Sequence, residues 1–280
     1  MSPAGRHALG TTLLLLPALV LLGGWFVAPL VRLFQFSLDH PAGTFAAYAE
    51  LLGNEVYRDI FARTLRLAAE VTIISLLLAY PAANLLTRLR GVAFTIALYC
   101  VLFPFWISVL VRTFSWILLL ERNGPVNVLL MQTGLSGEPM PFLYNHAGVL
   151  IGMVHVLLPY ALLPIYAAMV KVDRRLLLAS EGLGAAPLTT FWRVYLPLTL
   201  PGVLAGAAFV FLLALGFFIT PALLGGIRNV TAAMLIDNFV SERLIWPLAA
   251  AASFVLLGLV LALVALAGRF IYLGQTLVTR

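Results

Sequence analysis

The chain has 280 residues, of which 62% are hydrophobic and only 10% charged, with a formal net charge of +6. Its mean hydropathy is +1.05, where soluble domains hold about half apolar and a quarter charged residues. This excludes an ordinary soluble enzyme. It also assigns the basic balance to membrane topology rather than nucleic acid, because the charges lie between apolar runs. Cys100 is the single cysteine, so disulfide and cysteine-metal chemistry are excluded for want of partners, and no metal site is expected.

Apolar windows of about 18 or more residues mark membrane spans, and six are predicted. The first covers about 9–34, behind Arg6 and broken by Pro17 and Pro29. Its start resembles a signal peptide, but the apolar run is too long, so an uncleaved helix is expected. A polar loop with four acids follows. The second span, about 65–87, carries Glu70, Tyr80-Pro81 and Asn84, and ends at the basic turn Arg88–Arg90. The third, about 92–120, holds Pro104, Trp106, Arg112 and Trp116, and the Gly/Pro/Asn-rich stretch after it reads as turns. The fourth, about 147–170, holds His155, which is expected to be a hydrogen-bonded structural residue.

The stretch 172–201 is polar by contrast with everything around it. Asp173 suits the N-cap of a short helix and Gly184 its left-handed end. Pro187 suits the start of a second short helix, which Pro197 and Pro201 are expected to stop. Phe191, Val194 and Tyr195 fall on one stripe of that helix, available for a groove on another protein. The fifth span covers about 202–224 with Thr220-Pro221, and the sixth about 246–268. A single membrane domain, 1–280, is expected. With the N-terminus inside, the inner segments carry nine basic residues against two acids, and the outer ones seven arginines against eight acids. Both termini and the stretch 172–201 are therefore expected in the cytoplasm.

Ionisable groups within spans cost about 2.5–3.5 kcal/mol at the helix centre. Glu70 and Arg112 lie at similar depth from the same face and are expected to pair or share a hydrated cavity, either as a structural pair or beside a solute. Tyr80, Asn84, Trp116 and Thr220 are further pathway candidates, the aromatic faces being suited to a cation. No catalytic group is identifiable: no G-x-S-x-G pattern accompanies His155, which argues against an intramembrane protease. Six spans and a single acid within them argue against an ion-coupled secondary transporter.

Within 172–201, Gly184 is followed by nine residues and then Val194-Tyr195-Leu196-Pro197. This resembles the cytoplasmic loop of ATP-binding-cassette importer permeases, E-A-A, three residues, G, nine residues, I-x-L-P. Leu178 stands at the Glu position, and Ala179 and Ser180 at the two Ala positions. The run 182–202, Tyr80-Pro81-Ala82, Phe103 to Ser108, Val111 to Trp116 and Trp246-Pro247 look like the spermidine/putrescine subfamily, which also includes transporters of thiamine, phosphonates and iron. The resemblance implies an all-α, type I importer permease fold with cytoplasmic coupling helices, in a bacterial inner membrane. It implies that Ala179, Ser180, Glu181, Gly182, Leu183, Gly184, Phe191, Val194, Leu196 and Pro197 couple to an ATPase. The implied partners are a second, different permease, two ATPase subunits and a periplasmic binding protein, with the lipid bilayer as surroundings. No P-loop pattern occurs, so ATP and Mg are expected on the ATPase subunits and no cofactor on this chain. Without the Glu, docking is expected through shape and apolar contact, with Arg174, Arg175, Glu181 and Arg193 as rim charges. A polyamine-like cation is the expected solute.

Overall fold

The computed structural model describes residues 15–226 and 229–278, with 266–278 described by backbone alone. The predicted beginning of span one, with Arg6, and the charges of Arg228 and Arg280 lie outside the described residues. Among those described there is no strand. Five helices are long and apolar enough to cross a membrane, and a bent pair makes a sixth when counted as one span. The chain divides into two compact units, 1–58 with 235–280, and 59–234.

In the first unit, α1 (Leu15–Leu38) packs on α12 (Trp246–Val278), with the rings of Phe34 and Phe254 edge to face at 5.2 Å. Ala250, Ala251 and Ala252 are fully buried, small side chains that let helix backbones approach where lipid supplies no hydrophobic drive. The short α2 (Ala46–Gly53) buries Ala47 and Leu51. The Tyr48 hydroxyl meets that of Ser37 at 2.8 Å.

The second unit is built on α7 (His146–Val170), which is apolar all round and largely buried, as such a helix must be. Asn145 caps it by accepting from the Gly148 N–H at 3.1 Å. Its main partner is α9 (Pro187–Leu215). Gly202 and Gly206 lie one turn apart on α9. A Cβ at Gly202 would lie 2.7 Å from the Pro164 carbonyl oxygen, and one at Gly206 2.9 Å from that of Ala161. Both glycines are there for backbone approach.

The helices depart from the expected spans in four places, and two of these have local causes. The second span begins earlier, in α3 (Glu55–Arg88). The third is two helices, α4 (Gly91–Leu102) and α5 (Val109–Leu120), and the segments Gly91–Trp106 and Val109–Gln132 that contain them are bent by 104°. Pro104 has no N–H for the Cys100 carbonyl, the chain tightens into a 3-10 turn at Phe103–Trp106, and Ile107 and Ser108 are extended. The stretch expected to be stopped by Pro197 and Pro201 is instead the first half of α9, continuous into span five. A π turn at Phe191–Tyr195, closed by Leu196 N–H to Phe191 C=O, precedes Pro197, whose missing N–H costs little at the start of the α-helical part. The Thr199 hydroxyl donates to the carbonyls of Tyr195 and Leu196, each at 3.1 Å. Span five in turn ends at Leu215, and the short α10 (Ile219–Leu224) follows. Within the predicted turn region, α6 (Pro125–Gln132) carries the buried Asn127, whose amide bonds to the backbone of Glu121 and Met140 and organises that loop.

Candidate functional site

The stretch after α7 forms α8 (Arg174–Gly182). Asp173 accepts from the Arg175 N–H at 2.9 Å, the cap read from the sequence. Gly184 has φ +84°. Its N–H bonds to the Glu181 carbonyl at 2.9 Å and that of Ala185 to the Ser180 carbonyl at 3.2 Å. This pair of bonds closes a helix around a left-handed residue. The Ser180 and Thr190 hydroxyls, 3.0 Å apart, tie α8 to the first turn of α9, and Thr190 is buried.

The apolar groups of this loop divide in a way the helical stripe did not anticipate. Phe191, Val194 and Tyr195 are half-buried and turned toward the bundle. Phe191 meets Tyr80 edge to face at 6.0 Å, and the Tyr195 hydroxyl donates to Asn84 Oδ1 at 3.4 Å. The π turn widens the helix here and displaces the stripe from its regular register. Leu178, Leu183, Leu188 and Trp192 are the large apolar residues of this loop with more than half of their surface exposed, Leu183 at 90%. Leu183 is one of the residues the resemblance implied, whereas Leu188 and Trp192 were missed because periodicity was counted within one helix and the exposed set spans both helices and the turn. Ala179, Glu181, Gly182 and Pro197 are exposed, and Leu196 is half-buried. A Cβ at Gly184 would meet nothing within 4 Å, so its open backbone faces outward.

Behind the loop is a cavity of about 710 Å³, bounded by the ends of α3 and α7, by α8 and by the start of α9. Asn84, Arg88, Arg174, Glu181 and Tyr195 line it. Arg174 and Glu181 therefore face this cavity, which leaves Arg175 and Arg193 as charges on the rim.

The polar residues of the spans are mostly engaged with one another. Tyr80 joins α3 to α9 through the Thr199 hydroxyl at 3.0 Å. Trp116 donates from Nε1 to His155 Nδ1 at 3.2 Å, joining α5 to α7. This makes Nδ1 the acceptor and puts the proton of neutral His155 on Nε2. Thr220 is fully buried, and its hydroxyl meets that of Thr113 at 3.1 Å. The expected Glu70–Arg112 pair is not formed. Glu70 pairs with His146 at the first turn of α7, joining α3 to α7. The Arg112 Nε is buried without a hydrogen-bond partner among the described residues. His146 was overlooked because it stands just outside the predicted span, although it enters the chain at the depth of Glu70. No group of three or more His, Cys, Asp or Glu residues that could hold a metal occurs among the described residues.

Helices long and apolar enough to cross a membrane, with a capped and tied loop that exposes apolar side chains, define a multi-span membrane protein. Residues 75–272 match the family model described as "Binding-protein-dependent transport system inner membrane component", and the chain belongs to that family. It is 33% identical over 249 residues to the spermidine/putrescine transport system permease protein PotB of Escherichia coli, with 86% of each chain covered. It is 37% identical over 206 residues to PotB of Haemophilus influenzae, covering 72% of this chain and 71% of that one. Its fold is similar to a chain in the crystal structure of a bacterial ABC transporter involved in import of the acidic polysaccharide alginate, with TM-score 0.72, 18% identity, and 95% and 96% of the chains covered. The protein is thus a multi-pass permease of an ABC importer, a transport subunit and not an enzyme.

Proposed function

We propose that the chain forms half of the pore of an importer for small polyammonium solutes of the spermidine/putrescine kind. The observation that carries this reading is its 33–37% identity to PotB proteins over most of its length. A second permease, a different chain, completes the pore, and a periplasmic binding protein delivers the solute. Two ATPase subunits bind the ATP and Mg, and this chain binds no cofactor. Both termini and the loop between α7 and α9 face the cytoplasm of a bacterial cell, and the chain lies in its inner membrane.

Coupling runs through Ala179, Ser180, Glu181, Gly182, Leu183, Gly184, Phe191, Val194, Leu196 and Pro197 in two layers. Leu183 and the open backbone of Gly184, with Leu188 and Trp192, seat in the ATPase. Phe191 and Val194 transmit its movement to α3 and α9 from behind. The Glu70 carboxylate at the outer mouth is the first cation-binding group of the pathway. Tyr80, Asn84, Trp116 and Thr220 hold the helices that shape that pathway, and the positive charge of Arg112, whose Nε is buried, disfavours tight retention of a polycation. The solute reading is tested by ATP turnover of the reconstituted complex across a ligand panel, each ligand with the cognate binding protein. Stimulation by spermidine or putrescine is expected. Stimulation only by an anion or a thiamine-like ligand would overturn it.

A further inference from the structure

The cavity behind the loop is lined by Glu181 and Phe191 of the coupling set and by Asn84, Arg88 and Arg174, which that set does not include. Arg88 closes α3, Arg174 opens α8 and Tyr195 comes from α9, so three elements bring their polar ends to one space. Both arginines are within electrostatic reach of the Tyr195 hydroxyl. Neither forms an ion pair or a side-chain hydrogen bond among the described residues, and Arg88 in particular has no carboxylate in contact. Tyr195 spends its proton on Asn84 Oδ1, which leaves the Asn84 amide with N–H groups to offer. The charged groups of the lining are thus two arginines against the single carboxylate of Glu181, with the Asn84 amide and the hydroxyls of Thr87, Thr190 and Tyr195 beside them.

The other side is apolar, formed by side chains such as Met169, Leu177 and Phe191. Such a wall is unsuited to free inorganic phosphate, which would leave most of about 710 Å³ empty. A phosphodiester with a glycerol and the first carbons of its chains would fill both sides. Basic pockets between membrane helices favour anionic headgroups, and planar guanidinium forks match phosphate oxygens. We propose that this cavity is a binding site for the phosphate headgroup of an anionic phospholipid, held by Arg88 and Arg174 with Asn84 in support. A lipid so placed links the end of α3 to the coupling loop. The site depends on the chain lying in a membrane, and on neither its solute nor its ATPase.

The test uses the full transporter complex purified from vesicles of phosphatidylcholine with phosphatidylglycerol, and reads retained phosphatidylglycerol by native mass spectrometry. The Arg88→Gln/Arg174→Gln pair is expected to weaken retention by about fivefold for each arginine removed, whereas Arg90→Gln, outside the cavity, leaves it unchanged. Because both arginines are exposed and unpaired in the chain, the variants should assemble; Arg88→Lys/Arg174→Lys, which keeps the charge, is expected to retain lipid better than the Gln pair. Undiminished retention in the Gln pair, or an equal loss in Arg90→Gln, would overturn the site. Displacement of the lipid by inorganic phosphate would make it a free-anion site instead. Lipid present on the isolated chain but absent from the complex would make the cavity a protein contact and would also sink the proposal. Polyamine uptake by the same preparation is read separately, so an inactive complex that keeps its lipid counts against the transport reading alone.

Discussion

Helix α7 and the loop that follows it are built from the same apolar residue types with opposite outcomes. On α7, Val149, Met153, Leu157, Ala161 and Ile165 have almost no exposed surface. A few residues later, Leu178, Leu183, Leu188 and Trp192 are more than half exposed. The apolar residue types do not separate the two regions; the charged residues between those of the loop, and the partners available to each, do. Around Ala161 and Ile165 the glycine face of α9 lies against α7, and Leu224 and Thr220 of α10 lie against Gly152. The loop residues are attached to a polar frame fixed by Asp173, Gly184 and the Ser180–Thr190 contact. That frame holds them away from the bundle, with most of their surface exposed. The core of the second unit is finished within this protein, and the loop is not.

This contrast can be broken at its packed side first. Gly206→Leu would drive a side chain into the Ala161 backbone. A loss of about 3 kcal/mol or failure to assemble is expected, seen as a lower unfolding temperature and lower yield in membranes. On the open side, Trp192→Ala should leave unfolding unchanged and weaken ATPase docking by about 2 kcal/mol, read by co-purification and by uptake. Unchanged docking would remove the exposed set from the coupling surface. Gly184→Ala forces a side chain into the left-handed region at a cost of about 1–2 kcal/mol, with space for the methyl group within the chain. Insertion of the helices is expected to persist while ATP hydrolysis loses its coupling to uptake. The smallest effect is expected of Glu70→Gln, whose pair with His146 is partly exposed and contributes about 1 kcal/mol or less to stability. A raised KM for the polycation places Glu70 in the pathway, and unchanged kinetics with a slightly less stable complex makes it a tie between α3 and α7 only.

Much of the coupling loop was legible before its structure because its signals are local. A carboxylate ahead of a short helix, a glycine past its end and a proline at the next start each act within a few residues. The spans were legible for a similar reason, since hydropathy summed over about 20 residues is set by the bilayer and hardly by neighbours. The break at Pro104 was marked by the residue itself, yet its size depends on what α4 and α5 each pack against. Pro197 and Pro201 misled, because a proline removes one hydrogen bond and a π turn with surrounding helices can absorb that loss.

The partners of the intramembrane polar groups were less legible. Glu70 and Arg112 match in depth and charge, and depth is all that spacing along a helix reports. Which group faces which depends on the rotation of each helix, and that is set by contacts such as Gly202 against Pro164 and Gly206 against Ala161. By itself the sequence determined that this is a membrane permease, where its apolar runs lie, and that a capped loop with Gly184 at its turn joins two of them. Only the tertiary structure decided that Glu70 meets His146, that Phe191 and Tyr195 turn inward while Leu183 and Trp192 stay open, and that Arg88 and Arg174 share one cavity. Covalent spacing governs the first set through local backbone and solvent terms, whereas the second depends on packing between helices far apart in the chain.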